Sequence, residues 1–210
     1  NAGAMEDYLK LVPREALYEA TGIQFMPFNT LFQVYAMVRD RSPLLDAAAD
    51  LLFMPDLFNY LLTGRKAAEH TIASTSQMLD PRTRAWIPGL FQAMGLSKRL
   101  LQPIVDPGTV LGNLTEAVAA QTGYRDVSVV ATAGHDTAAA VAAVPGEGRD
   151  WAYISSGTWS LVGVEETAPV LSPQSLAANF TNEGGVGGTV RFLKNVTGLW
   201  LVQGCRKAWG

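Results

Sequence analysis

One stretch, Val127 to Val162, constrains the fold of this chain more than any other: VSVVATAGHDTAAAVAAVPGEGRDWAYISSGTWSLV. Its opening, Val127 to Ala131, is valine-rich and apolar apart from Ser128, as buried strands are. Gly134-His135-Asp136-Thr137 follows, and then a helix of small residues, Ala138 to Val144. Beyond Pro145-Gly146, a second strand from Trp151 to Ser156 reaches the turn Ser155-Ser156-Gly157-Thr158. One strand thus delivers a His-Asp pair to its carboxyl end. The other presents a small, hydroxyl-bearing turn. An α/β arrangement is expected.

The residues before this stretch read as short helices with clear punctuation. Pro13 to Thr21 is closed by Gly22, and Asn29 precedes Leu31, Val34, Tyr35 and Val38 at helical spacing. Ser42-Pro43 starts a third helix, and PDLFNYLLTG runs from Pro55 to a C-terminal stop at Gly64. Thr71 to Leu79 is Ser/Thr-rich and reads as a helix or a lining segment. Ile87 to Met94 ends at Gly95, and Thr115 to Thr122 ends at Gly123. After the central stretch, Ser160 to Val164 pairs with Tyr153 to Ser156 as a hairpin. Glu183 to Gly188 (EGGVGG) reads as a flexible loop, Thr189 to Lys194 as a third strand, and Thr197 to Trp209 as an amphipathic helix. The expected division is a largely helical part over 1–147 and a strand-rich part over 148–210, with the break at Pro145 to Asp150.

Composition narrows the function classes. A chain of 210 residues, 48% apolar and 17% charged, can bury a sizeable core. The net charge of −3 and the lack of any Lys/Arg cluster argue against a nucleic-acid surface. No apolar run approaches the roughly 20 residues of a membrane-spanning helix. Asn1 to Met5 is uncharged and short, so no secretory leader is expected. Cys205 is the single cysteine, which excludes an internal disulfide and fits a reduced, cytoplasmic setting. His70, His135 and Cys205 are scattered, so no zinc site is expected.

Two constellations carry chemistry, each beside a plainer reading. Asp136, at a strand end and a helix start, sits where open α/β sheets bind ligands. It equally suits an N-cap, and the two roles are compatible. His135 suits a sugar oxygen or a partly buried structural place. Ser155-Ser156-Gly157-Thr158 can cradle a phosphate, with glycine permitting close backbone approach, or be an ordinary hairpin turn. Asn179, Asn182 and Asn195 suit sugar hydroxyls, though turns favour Asn in any case. The five tryptophans fit a core better than sugar platforms. No G-x-x-x-x-G-K-[ST] is present, so a P-loop is not supported.

Several segments in register resemble the FGGY family of carbohydrate kinases, within the actin-like ATPase (ribonuclease H-like) superfamily. They are LYEATGIQFMPFNTLFQ, PDLFNYLLTG, ASTSQMLD, PGTVLG, GHDTAAAVAAVP, YISSGTWSLVGVE, NFTNEGG and FLKNVTGLWLVQ, spread from about Leu9 to Trp209. The resemblance implies ATP- and Mg2+-dependent phosphorylation of a ketose. L-rhamnulose is the expected ketose and L-fuculose the alternative. A non-catalytic sugar-binding module of the same fold is the reading from another class. The resemblance implies Asp136 as catalytic base, and His135, Thr137 and Asn195 as sugar contacts. Gly157 and Thr158 would lie on the phosphate side of ATP, with Gln203 as a further ATP contact. The resemblance supplies no protein metal ligand and leaves oligomeric state open. The family's opening D-x-G-T phosphate loop does not begin this chain; Asp106-Pro107-Gly108-Thr109 lies within the separate PGTVLG segment. The expectation is therefore an internal fragment, the later part of one kinase domain and the start of the next, with little activity alone.

Overall fold

The computed structural model describes residues 1–148 and 150–210. Its first part is helical: α1 (Ala4–Tyr8), α2 (Arg14–Thr21), α3 (Thr30–Arg39), α4 (Pro43–Ala47) and α5 (Met54–Thr63). Short strands and helices then alternate: β1 (Ala68–Glu69), α6 (His70–Ser74), β2 (Leu79–Asp80), β3 (Ala85–Trp86), α7 (Pro88–Ala93), β4 (Ile104–Val105), β5 (Val110–Asn113), α8 (Glu116–Thr122), β6 (Ser128–Val130) and α9 (Asp136–Ala142). The last part holds β7 (Tyr153–Ser156), β8 (Trp159–Glu166), α10 (Pro173–Ala177), β9 (Thr181–Gly184), β10 (Val190–Thr197) and α11 (Trp200–Trp209). The break expected at Pro145 to Asp150 includes Arg149, which lies outside the described residues.

The glycine stops act as their positions require. Gly22, Gly64 and Gly123 all close their helices with φ between 64 and 78°, a region in which a Cβ would be strained. Asn29 holds the N-cap position of α3, but its side chain does not cap. Its amide donates instead to Gln24 O and Gln77 Oε1, both at 2.8 Å, tying three segments together.

Of four hydrophobic clusters among the described residues, two bear on the site. The larger gathers Tyr8, Leu17, Phe32, Met78 and Phe91 from the helical part, and Leu171 and Leu176 from the strand-rich part pack on it. The smaller is Val141 of α9 with Tyr153, Leu161 and Leu193. These last three belong to a four-stranded antiparallel sheet of order β7-β8-β10-β9. Burying Val141 against that sheet stabilises by roughly 1.5–3 kcal/mol. It also brings the start of α9 up to the β7–β8 turn.

Three local expectations need correction. The β6 segment is not buried: Ser128 and Val130 are exposed, because it pairs only with β5 while α5 packs nearby. Glu183 and Gly184 are not in a flexible loop. They end β9, whose four residues are all buried, and only Val186–Gly188 forms a turn. The terminal helix exists as α11, but every residue from Leu201 to Gly210 is exposed and so are Trp200 and Leu199. Its apolar face has no cover among the described residues; the tryptophan reading fails for Trp200 and Trp209, and also for Trp159 in β8.

Candidate active site

Two adjoining cavities lie where the helical part meets the sheet. The larger, about 400 Å³, is bounded by His135, Asp136 and Thr137 on one side and the Ser155 to Trp159 turn on the other, with Phe28 and Asn195 between. The smaller, about 180 Å³, shares Phe28, His135 and Asn195 and adds Gln24, Thr181 and Glu183. Six of the residues singled out by sequence therefore surround one space: Asp136, His135, Thr137, Asn195, Gly157 and Thr158. Gln203 does not reach it. It stands three residues after Trp200 on α11, hence on the same helix face. Trp200 borders a separate cavity of about 380 Å³ with Thr158, Trp159 and Thr197, beyond the turn.

Asp136 is the first residue of α9, and His135 occupies the N-cap position without a side-chain cap. The capping reading of Asp136 is thus not realised. Its Oδ1 accepts from the next backbone N–H, Thr137, at 2.7 Å, and the Thr137 hydroxyl lies 3.4 Å away. The side chain is 96% exposed, so one carboxylate oxygen remains open for chemistry. A first-turn carboxylate also gains from the helix dipole.

The loop before Asp136 is fixed from below. The Glu69 carboxylate, buried, accepts from Gly134 N at 2.8 Å while also capping α6 through Thr71 N and Ile72 N. Thr71 Oγ1 accepts from His135 N at 3.1 Å. A Cβ on Gly134 would stand 3.0 Å from Glu69 Oε2 and 3.2 Å from Pro55, so glycine is what lets the loop approach this closely. The polar segment beginning at Thr71 serves as scaffold for the GHD loop, a role its composition did not disclose.

The turn from the second strand is held as firmly. Gly157 N donates to Trp159 O at 2.7 Å, and the carbonyls of Gly157 and Thr158 accept from Leu199 N (2.8 Å) and Gly198 N (3.2 Å). Gly198 must be glycine, since a Cβ there would come within 2.6 Å of Gly157 O and Trp159 C. Gly157 is different. Its φ lies outside the left-handed region, and a Cβ there would meet only Trp159 O, at 3.7 Å. Neither hairpin geometry nor packing demands glycine at this position. The space over it is open, and a group such as a phosphate could approach the backbone there.

Of the three asparagines, only Asn195 faces the site. Asn182 is used internally, donating to Gly22 O and Val170 O and accepting from Val170 N. Asn179 Oδ1 accepts from Phe25 N. Asn195 N and Nδ2 both donate to Gln24 Oε1, at 2.9 and 3.0 Å, which clamps β10 to the helical part. Trp159 is 44% exposed and meets Phe28 at 5.9 Å between ring centroids, an aromatic wall across the junction. Sequence reasoning missed Gln24, Thr181, Glu183 and Arg191. For Thr181, Glu183 and Arg191 the available signal was a polar run, TNEG, one glycine-rich turn before a strand carrying an arginine.

Among the described residues, no group of three or more His, Cys, Asp and Glu is placed to hold a metal ion. Asp136 is the only carboxylate on the larger cavity. No helix of the described residues is long and apolar enough to cross a membrane.

Known proteins share this sequence and shape. Residues 2–143 match the model of the FGGY family of carbohydrate kinases, N-terminal domain, and residues 152–210 match that of its C-terminal domain. A rhamnulokinase of Bacteroides thetaiotaomicron is 49% identical over 208 residues, 99% of this chain and 43% of that protein. The rhamnulokinase of Enterococcus faecalis is 43% identical, over 95% of this chain and 40% of that protein. The chain thus spans less than half the length of these relatives. Among solved structures, a xyloylose kinase from Brucella ovis superposes with a TM-score of 0.83 at 19% identity, covering 99% of this chain and 43% of that one. Glycerol kinase of Plasmodium falciparum with ADP gives 0.77 at 14% identity, covering 97% and 43%. The architecture is an actin-like ATPase fold, and the chain belongs to the FGGY family of carbohydrate kinases.

Proposed function

We propose that the protein to which this chain belongs transfers the γ-phosphoryl group of ATP to L-rhamnulose, giving L-rhamnulose 1-phosphate in rhamnose breakdown. The observation that carries the reading is the shared cavity, with an exposed carboxylate, Asp136, facing a firmly held turn whose glycine leaves room for a phosphate. The choice of ketose rests on similarity to rhamnulokinases at 43 and 49% identity. L-fuculose is the alternative ketose.

In this mechanism Asp136 takes the proton from the sugar's primary hydroxyl as that oxygen bonds to the γ-phosphorus and ADP leaves. General-base help of this kind contributes roughly 10²–10⁴-fold. His135, Thr137 and Asn195 orient the sugar. Gly157 and Thr158 hold the phosphate side of ATP, and Gln203, across the turn, contacts the remainder of the nucleotide. Positioning and charge stabilisation supply most of the rest. Mg2+ would enter with the nucleotide and neutralise charge on its phosphates. The two parts, 1–147 and 148–210, are read as portions of two kinase domains hinged near Pro145 to Asp150. Closure there would exclude water and suppress wasteful ATP hydrolysis. A reduced cytoplasmic setting suits the free, exposed Cys205.

The test is sugar-dependent ADP release by the full-length protein with rhamnulose, fuculose and xylulose, wild type against Asp136→Asn. Expected is a preference for rhamnulose and a loss in kcat of about 10²–10⁴-fold in the variant. Sugar binding that survives alongside undiminished turnover would refute Asp136 as base. Binding of sugar without any turnover by the wild type would point to the non-catalytic module.

A further inference from the structure

Among the described residues Arg191 is the largest fully buried side chain, and it is a cation. Desolvating a guanidinium is unfavourable by several kcal/mol unless it is well paired. Its Nε donates to Gly184 O at 3.0 Å, and its Nη2 donates to Glu183 Oε2 at 3.1 Å. Glu183 is its direct cross-strand neighbour, so this pair is internal to the sheet. The same Nη2 also lies 2.9 Å from Nδ1 of His135, which belongs to the loop on the other side of the junction. That last contact is not needed to satisfy the sheet.

It does determine where the imidazole proton sits. A guanidinium has five donors and no acceptor. At 2.9 Å it requires a lone pair on Nδ1, and the proton of the neutral ring then resides on Nε2. The 3.4 Å approach of Glu183 Oε2 to Nδ1 would suit the opposite assignment. That assignment would set an N–H against the closer guanidinium, and the closer, donor-only group prevails. The same contact rules out a proton on Nδ1 and so a doubly protonated ring, and burial, which holds the His135 pKa below its ordinary value, acts in the same direction. Nε2 lies 3.5 Å from Asp136 Oδ1.

We propose that Arg191, anchored by Glu183, is a positioning residue that fixes His135 as the Nε2–H tautomer, which keeps the ring proton on the side of Asp136. Thr137 N–H donates to Oδ1, the Nε2 proton lies 3.5 Å from the same oxygen as a favourable dipole rather than a formed hydrogen bond, and Oδ2 is left to receive the substrate proton. With the proton on Nδ1 instead, the Nε2 lone pair would face the carboxylate and repel it. The tautomer stands on geometry alone, while its consequence for Asp136 rests on the kinase reading above. The two are separable by experiment.

The full-length protein, labelled with 15N-histidine, is examined by long-range 1H–15N correlation NMR without substrate. His135 is assigned by the signals that vanish in His135→Asn. His70 provides an internal contrast, because its Nε2 accepts from Arg84 Nε at 3.2 Å, which places its proton on Nδ1. The wild type should show Nε2–H for His135 and Nδ1–H for His70. In Arg191→Gln, whose amide oxygen can accept, the Nδ1–H form should appear and kcat fall by up to about 10²-fold, as misorientation does, with KM for ATP unchanged. Arg191→Lys, still a donor, should retain the tautomer and recover part of the rate. An Nδ1–H His135 in the wild type overturns the proposal and needs no folded variant. So does an unaltered tautomer, or an unaltered kcat, in a folded Arg191→Gln. If the tautomer responds as expected but no sugar is phosphorylated by any form, the kinase reading fails and the positioning role for Asp136 fails with it.

Discussion

Gly157→Ala separates a structural glycine from a functional one. At most turns the two roles are confounded, because removing glycine strains the backbone. Here φ is outside the left-handed region and the added methyl would meet only Trp159 O, at 3.7 Å. The substitution should therefore stabilise the fold by about 0.4–1 kcal/mol, chiefly by restricting the unfolded chain. If a phosphate sits against this turn, the same methyl occupies its approach. Losing one hydrogen bond to a charged group weakens binding by about 1.5–3 kcal/mol. That corresponds to roughly a 10–100-fold rise in the ATP dissociation constant. Urea denaturation and ATP titration calorimetry of the full-length protein read the two effects independently. A stabilised variant with undiminished ATP affinity would refute the phosphate assignment. A destabilised one would refute the account of open space. Gly198→Ala is the contrast, since its methyl would collide with the backbone of the same turn and should reduce stability and ATP affinity together.

Two further outcomes follow from buried groups beneath the site. Asp56 is 2% exposed, its Oδ2 has no partner, and burial, with the charge of Glu69 adding, pushes its pKa up to about 6 from 3.8. A raised carboxylate contributes stability that is present below pH 3.8 and lost as pH rises through 6, about 3 kcal/mol over that span. Burial and the charge of Arg84 lower His70 to about 4 from 6.5, and its contribution runs oppositely: present above pH 6.5 and lost as pH falls toward 4. The slopes oppose each other between about pH 4 and 6, so Asp56→Asn should show stability rising with pH there more steeply than wild type. Identical pH profiles in urea melts would contradict this. Gly184→Ala would drive a methyl into His70, to 2.6 Å from its Nδ1 and closer still to Cε1, and should destabilise by about 1–3 kcal/mol in the same assay. An unchanged midpoint would show that the buried ring can yield.

Arg191, Glu183 and His135 show that β9 and β10 do more than complete a sheet. Gln24 and Asn195 join the same strand to the helical part through three hydrogen bonds, two of them accepted by a single amide oxygen. Movement of β10 would therefore act on Asn195 and on the orientation of His135 at once.

By itself the sequence determined what depends on neighbouring residues. Gly22, Gly64 and Gly123 end their helices where read, because positive φ is a local demand. Eight motifs in register, GHDT, SSGT and FLKN among them, resemble one kinase family; that resemblance nominates Asp136, His135, Thr137, Asn195, Gly157 and Thr158, and the fold sets all six on one cavity. Tertiary structure alone decided the fate of interchangeable polar groups. Three asparagines looked alike until packing consumed Asn179 and Asn182 and left Asn195 facing the site. The segment EGG read as mobile because glycine and charge normally mean solvent. Glu183 is buried because Arg191, eight residues away, neutralises it from the opposing strand. Asp136 read as a helix cap, yet the carboxylate that secures its loop is Glu69, from 65 residues earlier than Gly134. Desolvated polar groups find their partners through space, and a chain read in order has no term for that distance.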